Sequence, residues 1–94
     1  MKVPELSDLK PMLATPATTP PEGDGWAFEI KWDGVRALAR VSGGELGISS
    51  RSGEDATRRY PELADLAASV GRDVVLDGEI VALDGEGRAS FQQL

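Results

Sequence analysis

A single lysine, Lys31, stands in the stretch FEIKWDGVR (28–36), flanked by aromatic and branched residues and followed by Asp33, Gly34 and Arg36. Farther along, VVLDGEIVALD (74–84) places Asp77 and Glu79 on either side of a glycine. A neutral lysine amine is a nucleophile, and desolvation or neighbouring positive charge, such as Arg36 across a turn, favours that neutral form. An arginine can absorb charge developing at phosphorus, and a carboxylate pair can hold a divalent cation through oxygen ligands. Lysine, arginine and two carboxylates together form a set suited to phosphoryl or nucleotidyl transfer. Taken singly, each has an ordinary reading: a lysine beside a glutamate on a strand face is commonly half of a solvated pair.

Composition narrows the chemistry further. The chain of 94 residues contains neither cysteine nor histidine, which excludes disulfides, thiolate metal sites and imidazole catalysis. Its length corresponds to one small domain at most, with a thin core unless other segments complete it. The N-terminus lacks the apolar core of a signal peptide, and no apolar run approaches membrane-spanning length. A cytoplasmic, soluble chain with no membrane partner is expected. The net charge of -6 is uneven: residues 1–25 carry two basic and four acidic groups, residues 26–59 six and five, and residues 60–94 two and seven. Only the middle third, which holds Lys31, is not acidic. Because binding follows the local field, the total charge does not forbid a polyanionic ligand.

The elements that must position these residues can be read from periodicity. Residues 1–25 read as an extended, proline-rich arm, with prolines at 11, 16, 20 and 21 opposing helix and central strand; docking of Pro11-Met12-Leu13 on the core as an apolar anchor is the alternative. From Trp26 the pattern has period two: Trp26, Phe28, Ile30 and Trp32 share one face of a predicted strand, Glu29 and Lys31 the other. Asp33-Gly34 signals a hairpin turn into a second strand, 35–41, which would hold Lys31 and Arg36 near one bend. SGGE (42–45) is the next turn and LGISSR (46–51) a weaker third strand. A short helix follows, with Pro61 in its first turn, Leu63, Leu66, Ala67 and Val70 on one face, and Gly71 as its stop. Residues 73–84 form the most strand-like run, Asp77 and Glu79 facing one way and Val74, Leu76, Ile80 and Ala82 the other, with DGEG (84–87) as a hairpin turn. About five strands and one short helix make an α+β, mainly antiparallel fold.

The motifs resemble those of a known family. KWDGVR (31–36) is similar to the KxDGxR signature of the covalent nucleotidyltransferases: ATP-dependent DNA ligases, RNA ligases and messenger RNA capping enzymes. SRSG (50–53) resembles the ligases' arginine-bearing second motif, LDGEIVALD (76–84) their third, and SFQQL (90–94) the following aromatic motif. Order and spacing agree, and the segment from KPMLA to KWDGVRALA resembles most the bacterial ATP-dependent DNA ligases of the end-joining type. The resemblance implies that residues 26–94 are the N-terminal portion of an adenylation domain, a partial ATP-grasp-like nucleotidyltransferase fold. It implies Lys31 as the nucleophile that takes AMP from ATP, with Glu29 near the adenine edge and Arg36 on ribose or phosphate. It further implies Arg51 on the nucleotide or DNA backbone, Glu79 on the ribose hydroxyl or a Mg2+ or Mn2+ ion, and Phe91 stacked on adenine. Asp33 and Gly34 would shape the turn, Gly34 letting backbone approach the nucleotide, and Asp77 would only bracket the strand. Nicked or broken double-stranded DNA and DNA end-joining proteins are the implied partners. The family's EGxxxK motif, paired-lysine motif and oligonucleotide-binding domain are expected to lie beyond Leu94. Two alternatives remain at this point: a GTP-using capping-type enzyme, and a non-catalytic fragment.

Overall fold

The structure is a computed structural model and describes residues 2–94. Its centre is a three-stranded antiparallel sheet in the order β2-β1-β3, built from β1 (Val35–Ser42), β2 (Glu45–Ser50) and β3 (Val74–Ile80). The link between β1 and β2 is Gly43-Gly44, both with positive φ, 60° and 81°. A two-residue hairpin loop with that backbone matches the right-handed twist of its strands, and only residues such as glycine adopt it freely. The expected turn at 42–45 and the third strand are therefore present.

Alternation assigns the faces. Ala37, Ala39, Leu46, Ile48 and Ile80 turn to the core face, where Ala56, Tyr60 and Leu63 pack on them. Ile48 and Val41 are the most deeply buried large side chains, each 1% exposed. The opposite face carries Arg36, Leu38 and Arg40 of β1 across from Glu79, Asp77 and Val75 of β3. The fold class read from the sequence, α+β with an antiparallel sheet and one short helix, holds.

Three elements differ from the sequence reading. The predicted strand 26–32 does not form; β1 begins only at Val35. Both edges of β1 are taken, by β2 and β3, so no hairpin partner can be laid against it from the N-terminal side. Gly34 also lacks the positive φ that a two-residue hairpin turn would require there. Secondly, the expected helix from Pro61 is split into a 3-10 turn (Pro61–Leu63) and the helix α1 (Leu66–Val70), which Gly71 ends. The facing residues were nonetheless read correctly: Ala67 is buried and Leu63, Leu66 and Val70 are half-buried. Thirdly, β3 stops at Ile80 instead of reaching Asp84, and the DGEG turn is closed by the single bridge Leu83–Ala89. Three strands, not about five, make the sheet.

The N-terminal arm docks through a segment that the sequence reading did not single out. Arg40, its side chain 17% exposed, donates from Nε to the Pro4 carbonyl at 2.7 Å and from Nη2 to the Val3 carbonyl at 3.3 Å, and it pairs with Glu5 at 3.2 Å. Leu6 then lies over Gly47, its Cδ1 3.5 Å from where a Cβ would stand, an ordinary contact distance. Met12 and Leu13, the alternative anchor, are exposed, as is every residue from 12 to 33, in keeping with an extended arm. The radius of gyration, 15.3 Å, accordingly exceeds the roughly 12 Å of a compact chain of this length.

Candidate active site

The residues singled out by type and spacing fall into three groups. Arg36 and Glu79 are brought together: they are directly opposed in the β1–β3 register and so project from the same face. Lys31 and Glu29 lie in the exposed irregular stretch that leads into β1. Arg51 sits at the exposed turn after β2, and Phe91, 55% exposed, opens a short 3-10 turn at 91–93. Ser90, just before that turn, donates its N–H to the carbonyl of Ala82, two residues past β3, at 2.8 Å.

Asp77 has a partner that its strand position alone did not reveal. Arg36 donates from Nε to Oδ1 and from Nη2 to Oδ2 of Asp77, both at 2.7 Å, a bidentate fork. The hydrogen bond with Asp77 raises the Arg36 pKa, and the same bond holds the Asp77 carboxyl below the usual carboxylate range. Asp77 is the diagonal neighbour of Arg36, two positions from its direct partner Glu79. Same-face parity of residues 36, 77 and 79 was legible in the sequence; the register that makes them neighbours was not.

Two chemical consequences follow. Because Arg36 is already paired, its charge faces the Asp77 carboxylate through two hydrogen bonds. Because Asp77 spends both oxygens on Arg36, it has little left for a metal. Among the described residues, no group of three or more acidic side chains could hold an ion. Glu79 remains as a single carboxylate on that face, able to hold magnesium only together with nucleotide phosphates and water.

Gly34, the glycine of KWDG, is fixed by packing. A Cβ built there would run into the Ile80 carbonyl oxygen and lie 2.8 Å from Val81 Cγ1. Its role is to let the start of β1 pass the end of β3, which aligns Arg36 with Glu79. The loop bearing Arg51 is held from within: the Gly53 N–H donates to the Ser50 carbonyl and the Ser50 N–H to the Glu54 carbonyl, at 2.9 and 2.8 Å.

Known proteins resemble this chain in sequence and backbone. The family described as ATP dependent DNA ligase domain matches residues 11–94. The multifunctional non-homologous end joining DNA repair protein LigD of Mycobacterium tuberculosis is 47% identical over 95 residues, covering 99% of this chain and 12% of that protein. Its namesake from Pseudomonas aeruginosa is 42% identical, covering 99% of this chain and 11% of that one. The chain thus spans about an eighth of the length of these relatives. Among solved structures, a mycobacterial DNA ligase D complexed with ATP and MES has a TM-score of 0.85 at 46% identity, over 95% of this chain and 30% of that one. Matched over most of its length by sequence and by backbone, the chain belongs to the family of ATP-dependent DNA ligase domains.

Proposed function

We propose that this chain is the lysine-bearing part of an ATP-dependent DNA ligase acting in the cytoplasm on nicked or broken double-stranded DNA. Residues 26–94 belong to the adenylation domain, and residues 1–25 form its N-terminal arm. The Lys31 amine attacks the α-phosphorus of ATP: a P–N bond forms, the bond to pyrophosphate breaks, and the amine loses its proton to solvent. The AMP group passes to a DNA 5'-phosphate and leaves when the neighbouring 3'-hydroxyl closes the strand.

Around that step, Glu29 sits near the adenine edge, Arg36 contacts ribose or phosphate, and Glu79 accepts from a ribose hydroxyl. Phe91 stacks on the adenine, and Arg51 holds nucleotide or DNA phosphate. A magnesium or manganese ion accompanying ATP would be held in this segment by Glu79 together with nucleotide phosphates, where it would offset charge on the departing pyrophosphate. End-joining proteins are the expected partners of the whole ligase.

The observation that carries this reading is the register pair of Glu79 with Arg36, the arginine of the same KWDGVR motif as Lys31, in a backbone similar to that of a ligase complexed with ATP. In a full ligase carrying this segment, Lys31→Ala should abolish the covalent AMP adduct seen by mass spectrometry while the melting temperature is kept, because Lys31 is exposed and packs against nothing. Glu79→Gln, which keeps volume but removes charge, should reduce nick sealing with little loss of fold. An acid-labile AMP adduct persisting in the Lys31→Ala variant would reject the assignment.

A further inference from the structure

We infer that Asp77 is a positioning residue, holding the Arg36 guanidinium in the orientation that meets the nucleotide, and that it touches neither nucleotide nor metal itself. The inference rests on the ligase reading above. Both carboxylate oxygens of Asp77 are engaged, one by Nε and one by Nη2 of Arg36, each at 2.7 Å. A fork of this kind fixes the plane of the guanidinium as well as its place, which a single hydrogen bond would not. Nη1 of Arg36 has no partner among the described residues, and with the second hydrogen of Nη2 it is left for a ligand.

The placement also separates the two carboxylates. Glu79, directly opposite Arg36 on β3, is exposed and makes no hydrogen bond or ion pair among the described residues, whereas Asp77 is fully engaged. The shared face therefore offers a ligand one free acceptor and one oriented donor. Stability alone does not account for the pair, because the two side chains remain 29% and 48% exposed. An ion pair at that exposure contributes little to folding. Its larger effect is to restrict a long, otherwise mobile arginine to one rotamer, which lowers the ordering cost of binding.

The test is a double-mutant cycle in a full ligase carrying this segment, with Asp77→Asn, Arg36→Lys and the two combined. Formation of the lysine adduct is followed against ATP concentration, and thermal unfolding is measured for each variant. Asp77→Asn should raise the ATP concentration for half-maximal adduct formation about tenfold, change the maximal rate less than about threefold, and leave the melting temperature within about 3 °C. Asp77→Glu, which keeps the carboxylate, should restore most of the affinity. The double variant should be no worse than the poorer single one, since both changes break the same fork. Additive losses, or a fall in maximal rate at unchanged half-saturation, would mean that Asp77 acts on the reacting groups directly and would overturn the inference. A wild-type protein that forms no adduct would overturn the ligase reading and this inference with it, whereas additive losses in an adduct-forming protein overturn this inference alone.

Discussion

Two of the four Asp-Gly pairs of this chain, 33–34 and 77–78, each lie beside a strand of the sheet but stand in different surroundings. A methyl group at Gly34 would collide with the carbonyl oxygen of Ile80 and approach Val81 Cγ1 to 2.8 Å, whereas one at Gly78 would meet nothing within 4 Å. Carbon atoms pack best at about 3.5–4.0 Å, so Gly34→Ala requires β1 and β3 to separate by roughly 1 Å where Val35 pairs with Ile80. The Val81 side chain can rotate away; the Ile80 carbonyl belongs to the backbone and cannot. Overpacking of that kind costs about 1–3 kcal/mol, and weakening the terminal ladder bond adds about 1 kcal/mol, giving a loss of ~2–4 kcal/mol. A small domain holds only about 5–15 kcal/mol in total, so a large share of its stability would be removed. At about 4–8 °C per kcal/mol, the melting temperature should fall by ~10 °C or more. Gly78→Ala, at a strand position with open space and no positive φ, should be neutral or stabilising by under about 1 kcal/mol. Far-ultraviolet circular dichroism of the three proteins during heating and in urea measures both. A Gly34→Ala variant within about 0.5 kcal/mol of Gly78→Ala would refute the close-approach explanation.

Two further outcomes follow from particular contacts. The Thr57 hydroxyl accepts the Ile48 N–H at 2.9 Å and donates to Asp55 at 2.6 Å, so Thr57→Val, of similar shape, should leave the Ile48 N–H unpaired and cost about 1–3 kcal/mol in urea unfolding; an unchanged midpoint would show that the donor finds another partner. The Asp77 carboxyl is held below the usual carboxylate range by Arg36, so the pair's contribution is present above the unfolded carboxyl pKa of about 3.9 and is lost as pH falls through the folded value. The stability difference between wild type and Asp77→Asn should therefore be constant from neutral pH to about pH 5 and shrink below about pH 4; a difference that widens in acid would contradict the pairing.

What the sequence determined by itself is what short windows encode. The glycine pair at 43–44 demands a left-handed turn and so announces the β1–β2 hairpin, and Gly71 ends α1, since such preferences belong to a few adjacent residues. Parity placed Arg36, Asp77 and Glu79 on one side of their strands, and the spacing of motifs from KWDGVR to SFQQL indicated the family. The same local rule misled at 26–32, where aromatic alternation describes a strand that would be buried on one face but says nothing about which edge would receive it. Tertiary structure decided the rest, because it depends on register between segments distant along the chain. Arg36 and Asp77 are 41 positions apart, and only the pairing of β1 with β3 sets the fork between them. Arg40 and the carbonyls of Val3 and Pro4 are likewise joined by folding, so no local pattern could name the residues that anchor the arm. The glycine of KWDG belongs to both accounts: its identity was plain in the motif, but the carbonyl that forbids a side chain there arrives from the end of another strand.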